Sequence, residues 1–129
     1  MAITPYLYYR DVGTALVFLS KAFGFRKYGR PMKGSRGRVI HATMKLGDDV
    51  VMLGYPGRKY RNPKQLKQVT QGLYINVADV DRHCRRARKA GARIIEEPVD
   101  VHYGDRRYAA EDPEGHHWYF AHPIREKAR

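Results

Sequence analysis

The chain has 129 residues, of which 43% are hydrophobic, and this is enough for one globular domain with a packed interior. Its 25 lysines and arginines exceed its 13 acids, and the net charge of +12 favours contact with anions. No apolar run reaches the roughly 20 residues of a membrane helix, and no secretory signal is visible at the N-terminus. The single cysteine, Cys84, excludes an internal disulfide and a cysteine-rich zinc site, so we expect a cytoplasmic protein without a membrane partner.

The first half of the chain predicts a strand, a helix and then further strands. Residues 3–10 are rich in tyrosine and predict a strand, and Asp11 after them is a favourable helix N-cap. Apolar residues recur at helical spacing from there to Gly24, which predicts the C-terminus of the helix. The elements expected next are a short strand at 25–30, a mobile basic loop at 32–38 and a hairpin at 41–53.

Residues 56–71 form a basic connector with five lysines or arginines and no acid. Pro56, Gly57 and Pro63 argue against regular structure over most of it. We interpret the connector as a linker between two halves of the chain. A lid over a pocket and a binding arm are the alternatives.

The second half repeats the order of the first. A strand at 73–77, a helix between Asp79 and Gly91, a strand at 92–96 and a loop at 98–105 precede a second hairpin with an Asp-Pro-Glu-Gly turn at 112–115. Residues 7–12 align with residues 75–80 at an offset of 68. The repeat predicts a βαβββ module at 3–55 and another at 72–123, followed by a basic tail at 124–129. We expect the modules to pair within a single domain at 1–129, because neither could bury both its helix and its sheet alone.

These features together resemble the vicinal oxygen chelate superfamily, which contains glyoxalase I, extradiol dioxygenases and the bleomycin-resistance proteins. The resemblance covers about residues 3–123, and the segment from Val101 to the Asp-Pro-Glu-Gly-His sequence is similar to the glyoxalase/bleomycin-resistance branch. It implies an α+β fold of two tandem βαβββ modules, whose curved mixed sheets enclose a cavity. It also implies a homodimer.

The resemblance further implies where a divalent metal would bind, on the first and last strand of each module. Neither those positions nor the ones a residue further along offer an imidazole, carboxylate or thiolate ligand. The expected positions hold Thr4, Met52, Gly72 and Tyr119, and the shifted ones hold Pro5, Leu53, Leu73 and Phe120. We therefore expect no metal and no other cofactor.

Strand alternation predicts which side chains face the cavity if Thr4 and Gly72 do. The predicted lining is aromatic, with hydroxyl and imidazole groups, and it suits a flat ligand held by stacking and a few hydrogen bonds. The alternative is that the tyrosines fill this space and leave no cavity. The candidate ligand-binding residues are Tyr6, Tyr8, His41, Met52, Tyr74, Asn76, Tyr108, His117 and Tyr119.

The histidines allow a different site, built from His41, His117 and either His102 or His122. A scattered histidine is more often a surface or hydrogen-bonded core residue, so we do not favour it. We expect His83 to be solvated on its basic helix, His116 to point outwards at its turn, and Cys84 to be buried as a small hydrophobic residue.

The sequence is compatible with three different functions. The favoured one is a metal-free homodimeric protein that binds an aromatic or anionic small molecule, with sequestration or antibiotic resistance as its role. The alternative is a lyase, an isomerase or a ring-cleaving dioxygenase of the same superfamily, with relocated metal ligands or with Tyr119 or His117 as acid and base; the catalytic residues are otherwise unknown. The third is nonspecific nucleic-acid binding through the basic surface, and we do not expect nucleic acid to be the partner.

Overall fold

A computed structural model describes residues 1–124 of the chain, so the predicted tail at 124–129 lies outside it except for Ile124. The fold is α+β, with two mixed sheets that stay open rather than closing into a barrel. This confirms the predicted fold class. None of the helices within residues 1–124 is long and apolar enough to cross a membrane.

The first half forms sheet 1, a five-stranded sheet with the order β1-β5-β4-β2 and with β3 paired to the other end of β4. β1 runs parallel to β5, and the other pairs are antiparallel. Helix α1 passes directly into a single π-helical turn, Leu19–Phe23. The elements are β1 (Tyr6–Tyr8), α1 (Val12–Phe18), β2 (Arg26–Lys27), β3 (Met32–Lys33), β4 (Val39–Leu46) and β5 (Asp49–Gly54).

The second half forms sheet 2, a four-stranded sheet with the order β6-β9-β8-β7, in which β6 is parallel to β9. Its elements have the predicted β-α-β-β-β order, which the first half shares apart from the added short strand β3. A short helix, α2 (Pro63–Leu66), lies in the connector. The other elements are β6 (Gly72–Asn76), α3 (Val80–Lys89), β7 (Arg93–Asp100), β8 (Asp105–Glu111) and β9 (His117–Pro123).

Both long helices begin and end where the sequence predicts. Asp11 accepts a hydrogen bond from the Thr14 amide at 3.0 Å, and Asp79 accepts one from the Arg82 amide at 3.1 Å. Gly24 then ends the first helical segment in a left-handed conformation with φ +84°. These caps satisfy amides and carbonyls that a helix terminus would otherwise leave unpaired.

Three predicted loops contain more structure than expected. Residues 32–38 include β3 and a 3₁₀ turn at Ser35–Gly37, and β7 continues through Pro98 to Asp100. Proline is tolerated there because β7 is an edge strand whose register shifts between Glu96 and Val99. The connector forms α2 because Pro63 stands at the first helical position, where the absent N–H is not needed.

The two halves pack against each other within one chain. Phe23, at the end of the first helical segment, lies 4.7 Å from Phe120 of β9 between ring centroids, and Phe25 lies 5.5 Å from Trp118. Cys84 of α3 is buried in the same core, as predicted. The long helices and the inner faces of both sheets therefore share one interior, and neither α1 nor α3 covers the opposite face of either sheet.

Two buried carboxylates join the chain segments where the halves meet. Asp112 accepts hydrogen bonds from the Tyr9 hydroxyl at 2.7 Å and from the Trp118 indole at 3.0 Å. Glu114 accepts from the amides of Arg10 and Asp11 at 2.7 and 2.8 Å, and also from the Asn62 side chain at 3.0 Å. The Asp-Pro-Glu-Gly turn thus fixes the end of β1 and the connector to sheet 2.

Candidate functional site

The open face of sheet 1, meaning the side away from the helices, begins with two tyrosines of β1. Tyr6 and Tyr8 are each about half exposed, whereas Leu7 between them packs against the core. The Tyr6 ring lies over Gly54, where an added Cβ would be 2.4 Å from the Tyr6 hydroxyl. It also makes edge contacts with Tyr8 and His41, at 5.4 and 5.6 Å between ring centroids. These side chains form an aromatic surface that reaches solvent.

The open face of sheet 2 has a matching arrangement on β6 and β9. The rings of Tyr74 and Tyr119 are nearly parallel, with 18° between their planes and 6.4 Å between centroids. The Tyr119 ring lies over Gly72, where a Cβ would be 2.8 Å from it. In each half a tyrosine therefore occupies the space that a side chain at a glycine of the adjacent strand would need.

A hydrogen-bonded cluster extends the tyrosine pair of sheet 2. The Tyr74 hydroxyl donates to Asp105 at 2.6 Å, and the Arg107 guanidinium donates to the Tyr103 hydroxyl at 2.7 Å. Glu96 pairs with Arg107 at 2.7 Å, so the positive charge on this face is neutralised by a partner. Partial desolvation and the hydrogen bond to Asp105 raise the pKa of Tyr74, so its hydroxyl stays protonated at neutral pH.

A cavity of about 380 Å³ lies between β1, the connector and the start of sheet 2. The Tyr60 hydroxyl donates to the Tyr8 carbonyl oxygen at 2.9 Å and fixes the connector beside it. Burial, together with the nearby charges of Glu114 and Asp112, raises the pKa of Tyr60 to about 12. The aromatic and apolar lining of the cavity includes Tyr6, Tyr8, Tyr60, Leu66, Leu73 and His117.

Most of the predicted site residues share the open faces. Met52 is paired with Tyr6 across β1 and β5, and His41 is paired with Gly54 on β4 and β5. Asn76 is exposed at the end of β6, and His117 lies 3.5 Å from Glu111 at the start of β9. The candidate residues are therefore divided between two sheets rather than gathered in one closed cavity.

Tyr108 is the exception, because it lies on the core side of sheet 2. It is fully buried, its ring is stacked on Phe120 at 5.3 Å, and its hydroxyl is hydrogen-bonded to His83. The sequence repeat predicts the wrong face for Tyr108, because the second hairpin is one residue longer than the first between equivalent paired positions. His41 opposes Gly54 in the first hairpin, and at the equivalent place Arg107 opposes Ala121 in the second. Arg107, rather than Tyr108, is thus the counterpart of His41.

The histidine predictions also need correction. His83 is not solvated: its Nε2 lies 2.9 Å from the Phe23 carbonyl oxygen, and burial lowers its pKa. His116 does not point outwards but reaches the Tyr8 carbonyl oxygen at 2.8 Å. Within residues 1–124 no three histidine, cysteine, aspartate or glutamate side chains are close enough to hold a metal ion, so the histidine site is not assembled there.

Sequence reasoning missed Tyr60, Tyr103, Asp105 and Arg107. Tyr60 lies in the connector, for which a linker was the favoured interpretation, and Tyr103 lies in the loop before β8. Alternation along β8 could have found Arg107, had the longer turn been recognised. No pattern in the sequence indicates that the hydroxyls of Tyr74 and Tyr103 meet at 3.4 Å.

The expected metal positions do not fit a divalent ion. They present a threonine hydroxyl, a methionine thioether, a glycine and a tyrosine ring, and the Tyr119 ring fills the space beside Gly72. A divalent metal site in proteins is built from imidazole, carboxylate or thiolate ligands. These four positions therefore offer no ligand set for a divalent ion.

The fold, a pair of βαβββ modules whose open faces carry exposed aromatic side chains, indicates the class of protein. A family model for the Glyoxalase/Bleomycin resistance protein/Dioxygenase superfamily matches residues 3–120. The chain belongs to this superfamily.

Individual relatives and solved structures are similar to this chain over most of its length. An uncharacterized protein of Mycobacterium tuberculosis (strain ATCC 25618 / H37Rv) is 35% identical over 130 residues, covering 97% of this chain and 76% of the relative. The crystal structure of TioX from Micromonospora sp. ML1 has a TM-score of 0.76 and 30% identity, covering 96% of this chain and 99% of TioX. A superfamily member from Sphaerobacter thermophilus DSM 20745 has a TM-score of 0.70 and 21% identity, covers 94% and 97% of the two chains, and supports the fold alone.

Proposed function

We propose that this protein binds an aromatic or anionic small molecule on the open faces of its sheets without using a metal ion. The main support for the proposal is that the open faces present aromatic side chains, whereas the expected metal positions lack metal ligands. Tyr119 covers Gly72 in one half, Tyr6 covers Gly54 in the other, and Tyr6 and Tyr74 remain about half exposed. Aromatic rings that reach solvent offer stacking area to a flat ligand.

The polar groups of the site support binding rather than acid–base chemistry. Tyr74 and Tyr60 both have raised pKa values, so they act as neutral hydrogen-bonding groups near pH 7. Arg107 is occupied by Glu96 and Tyr103. Fixed hydroxyls beside aromatic rings can orient a ligand with few hydrogen bonds.

A homodimer is part of the proposal. In a single chain the open faces leave large aromatic side chains in water, including Tyr6, Tyr8 and Tyr74. Apposition of these faces between two copies would cover them and would enclose a ligand. Sequestration, with drug resistance as one form of it, is the role that this binding would serve.

Calorimetric titration with a panel of planar aromatic compounds tests the proposal. At least one compound should bind the wild-type protein, and both Tyr6→Ala and Tyr119→Ala should weaken that binding about tenfold, which corresponds to the loss of one stacking contact. The control is Val17→Ala, because Val17 is exposed on α1, away from the open faces, and should leave binding unchanged. Absence of any binding, or equal affinity in all three variants, would overturn the proposal.

A further inference from the structure

The positive charge of the chain is concentrated in its first part. Residues 1–71 hold fourteen of the 25 lysines and arginines but only three of the 13 acids. The other 58 residues are therefore close to neutral. The open face of sheet 1 belongs to the strongly positive part, and the open face of sheet 2 belongs to the nearly neutral part.

Ion pairing increases the difference in uncompensated positive charge between the two parts of the chain. Among residues 1–124, every pair between a lysine or arginine and a carboxylate joins two residues of the second half. On the open face of sheet 2, Arg107 is neutralised by Glu96. The cations of sheet 1 have no such partner among these residues, and they remain available to an anion from outside the chain.

Two cations of sheet 1 lie directly opposite each other. Arg26 of β2 is paired with Lys45 of β4, so the two side chains project from the same face. Like charges in this position destabilise a sheet. The acids nearest to Lys45 in sequence, Asp48 of the following turn and Asp49 of β5, form no ion pair with either cation. A bound anion would remove this repulsion.

The surroundings of Arg26 and Lys45 suit a ligand that carries an acidic group on an aromatic ring system. The Lys45 ammonium lies 4.7 Å from the centre of the Tyr28 ring, and Tyr28 is about half exposed. Lys45 shares the open face with Thr43 and Met52, whose neighbour across the sheet is Tyr6. The order β1-β5-β4-β2 places the tyrosines of β1 two strand spacings, roughly 10 Å, from Lys45 of β4 and three spacings, roughly 14 Å, from Arg26 of β2. A small aromatic acid can approach both.

We propose that the ligand is an aromatic acid and that Arg26 and Lys45 bind its anionic group, while the tyrosines of the open faces contact its rings. This inference rests on the proposed function and narrows it, because it requires the aromatic body and the anion in one molecule. Carboxylates and phosphates share the required charge and hydrogen-bond acceptors. Sheet 2 contributes neutral aromatic surface to the same ligand.

Three probes of matched shape test this by calorimetry: naphthalene-2-carboxylate, 2-naphthyl phosphate and the neutral naphthalene-2-carboxamide. The wild-type protein should bind at least one of the anions about fivefold more tightly than the amide, and whichever anion is preferred identifies the acid class. Lys45→Gln should remove that preference and leave the affinity for the amide unchanged. The control Lys89→Gln removes an equal charge from α3, on the helical side of the molecule, and should keep the preference.

A thermal shift with millimolar inorganic phosphate, against chloride of equal ionic strength, examines the cation pair without an aromatic ring. The melting temperature of the wild type and of Lys89→Gln should rise more than that of Lys45→Gln. The inference would be wrong if the wild-type protein bound the anions and the amide equally and phosphate raised the melting temperature of all three proteins equally. That result would leave the proposed function intact. Failure of all three naphthalene probes to bind, with the phosphate shift still dependent on Lys45, would count against the aromatic binding and keep the anion site.

Discussion

Asp112 shows how one buried carboxylate can organise several chain segments. One oxygen accepts from Tyr9 and Trp118, and the other accepts from the amides of Glu114 and His116. Burial, followed by the charge of Asp112, raises the pKa of Tyr9 well above its usual value, so the phenol remains a donor. All the neighbours of this carboxylate are donors, and only a group with two acceptor oxygens satisfies them.

Replacing Asp112 by asparagine should therefore lower the free energy of unfolding by about 2–4 kcal/mol. The amide nitrogen of Asn would face two donors and leave them unpaired in a buried site. Urea unfolding measures the change, and Asp48→Asn on the exposed first hairpin is the control. A loss no larger than that of the control would show that the carboxylate does not hold this junction together.

His83 joins the two halves from the opposite side of the core. The Phe23 carbonyl oxygen can only accept, so His83 Nε2 carries the proton and Nδ1 accepts from the Tyr108 hydroxyl. Burial favours the neutral ring and lowers its pKa below the usual 6.5. As the pH falls below 6.5, the unfolded chain therefore binds a proton at this position that the folded protein does not.

Because of this difference, stability should decrease from pH 6.5 towards pH 5. The contribution of His83 to the slope of the unfolding free energy can reach about 1.4 kcal/mol per pH unit. Urea titrations at several pH values should give a flatter dependence for His83→Gln than for the wild type. His102→Gln, on the exposed loop before β8, is the control variant. The same slope in all three proteins would contradict the assigned role of His83.

The connector is held to the second module by the turn between β8 and β9. Gly115 has φ +95°, and an added Cβ would lie 2.6 Å from the Lys64 amide nitrogen. That amide donates to the Glu114 carbonyl oxygen at 3.1 Å. The turn therefore needs glycine for two reasons, a left-handed backbone and the close approach of α2.

Two alanine variants distinguish the effect of the left-handed backbone from the effect of the close approach of α2. Gly104 has a similar φ of +91° but has nothing within 4 Å of an added Cβ, so Gly104→Ala should cost only the backbone strain, about 1–2 kcal/mol. Gly115→Ala should cost about 1–3 kcal/mol more because it also displaces the connector. Trypsin should then cleave the connector faster in Gly115→Ala than in Gly104→Ala. Equal stability and equal cleavage would show that the close contact at Lys64 is unimportant.

Local chemistry accounts for the elements that the sequence predicts correctly. The capping aspartates, the terminal glycines and the alternation along β6 are each determined by neighbours a few residues away. Tyr108 and β7 were predicted less well because their placement depends on pairing between strands. One extra residue in the second hairpin turn moves Tyr108 to the core side, and the bulges of β7 allow it to continue through Pro98.

The candidate site was predictable in part for the same reason. Tyr6, Tyr74 and Tyr119 follow from strand alternation alone. The cluster around Arg107 and the approach of Tyr60 to β1 depend on loops whose course comes from tertiary contacts. The opposition of Arg26 and Lys45 likewise requires the register of β2 on β4, which no local pattern gives.

At the scale of the whole molecule, two similar modules have different open faces. Sheet 1 combines aromatic rings with cations that have no acidic partner among residues 1–124, and sheet 2 combines aromatic rings with paired charges. Both modules keep the core and the caps that the repeat predicts, because those features are needed for folding. The differences lie on the surfaces that a ligand would contact.

The most direct test of the account is a calorimetric titration of the wild-type protein with an aromatic ligand, performed with and without a strong chelator. We predict the same affinity in both conditions, and no change on later addition of zinc, manganese or iron(II), because the expected metal positions lack suitable ligands. Loss of binding in chelator, with recovery when one of these ions is restored, would contradict the account and would assign the protein to the metal-dependent members of its superfamily.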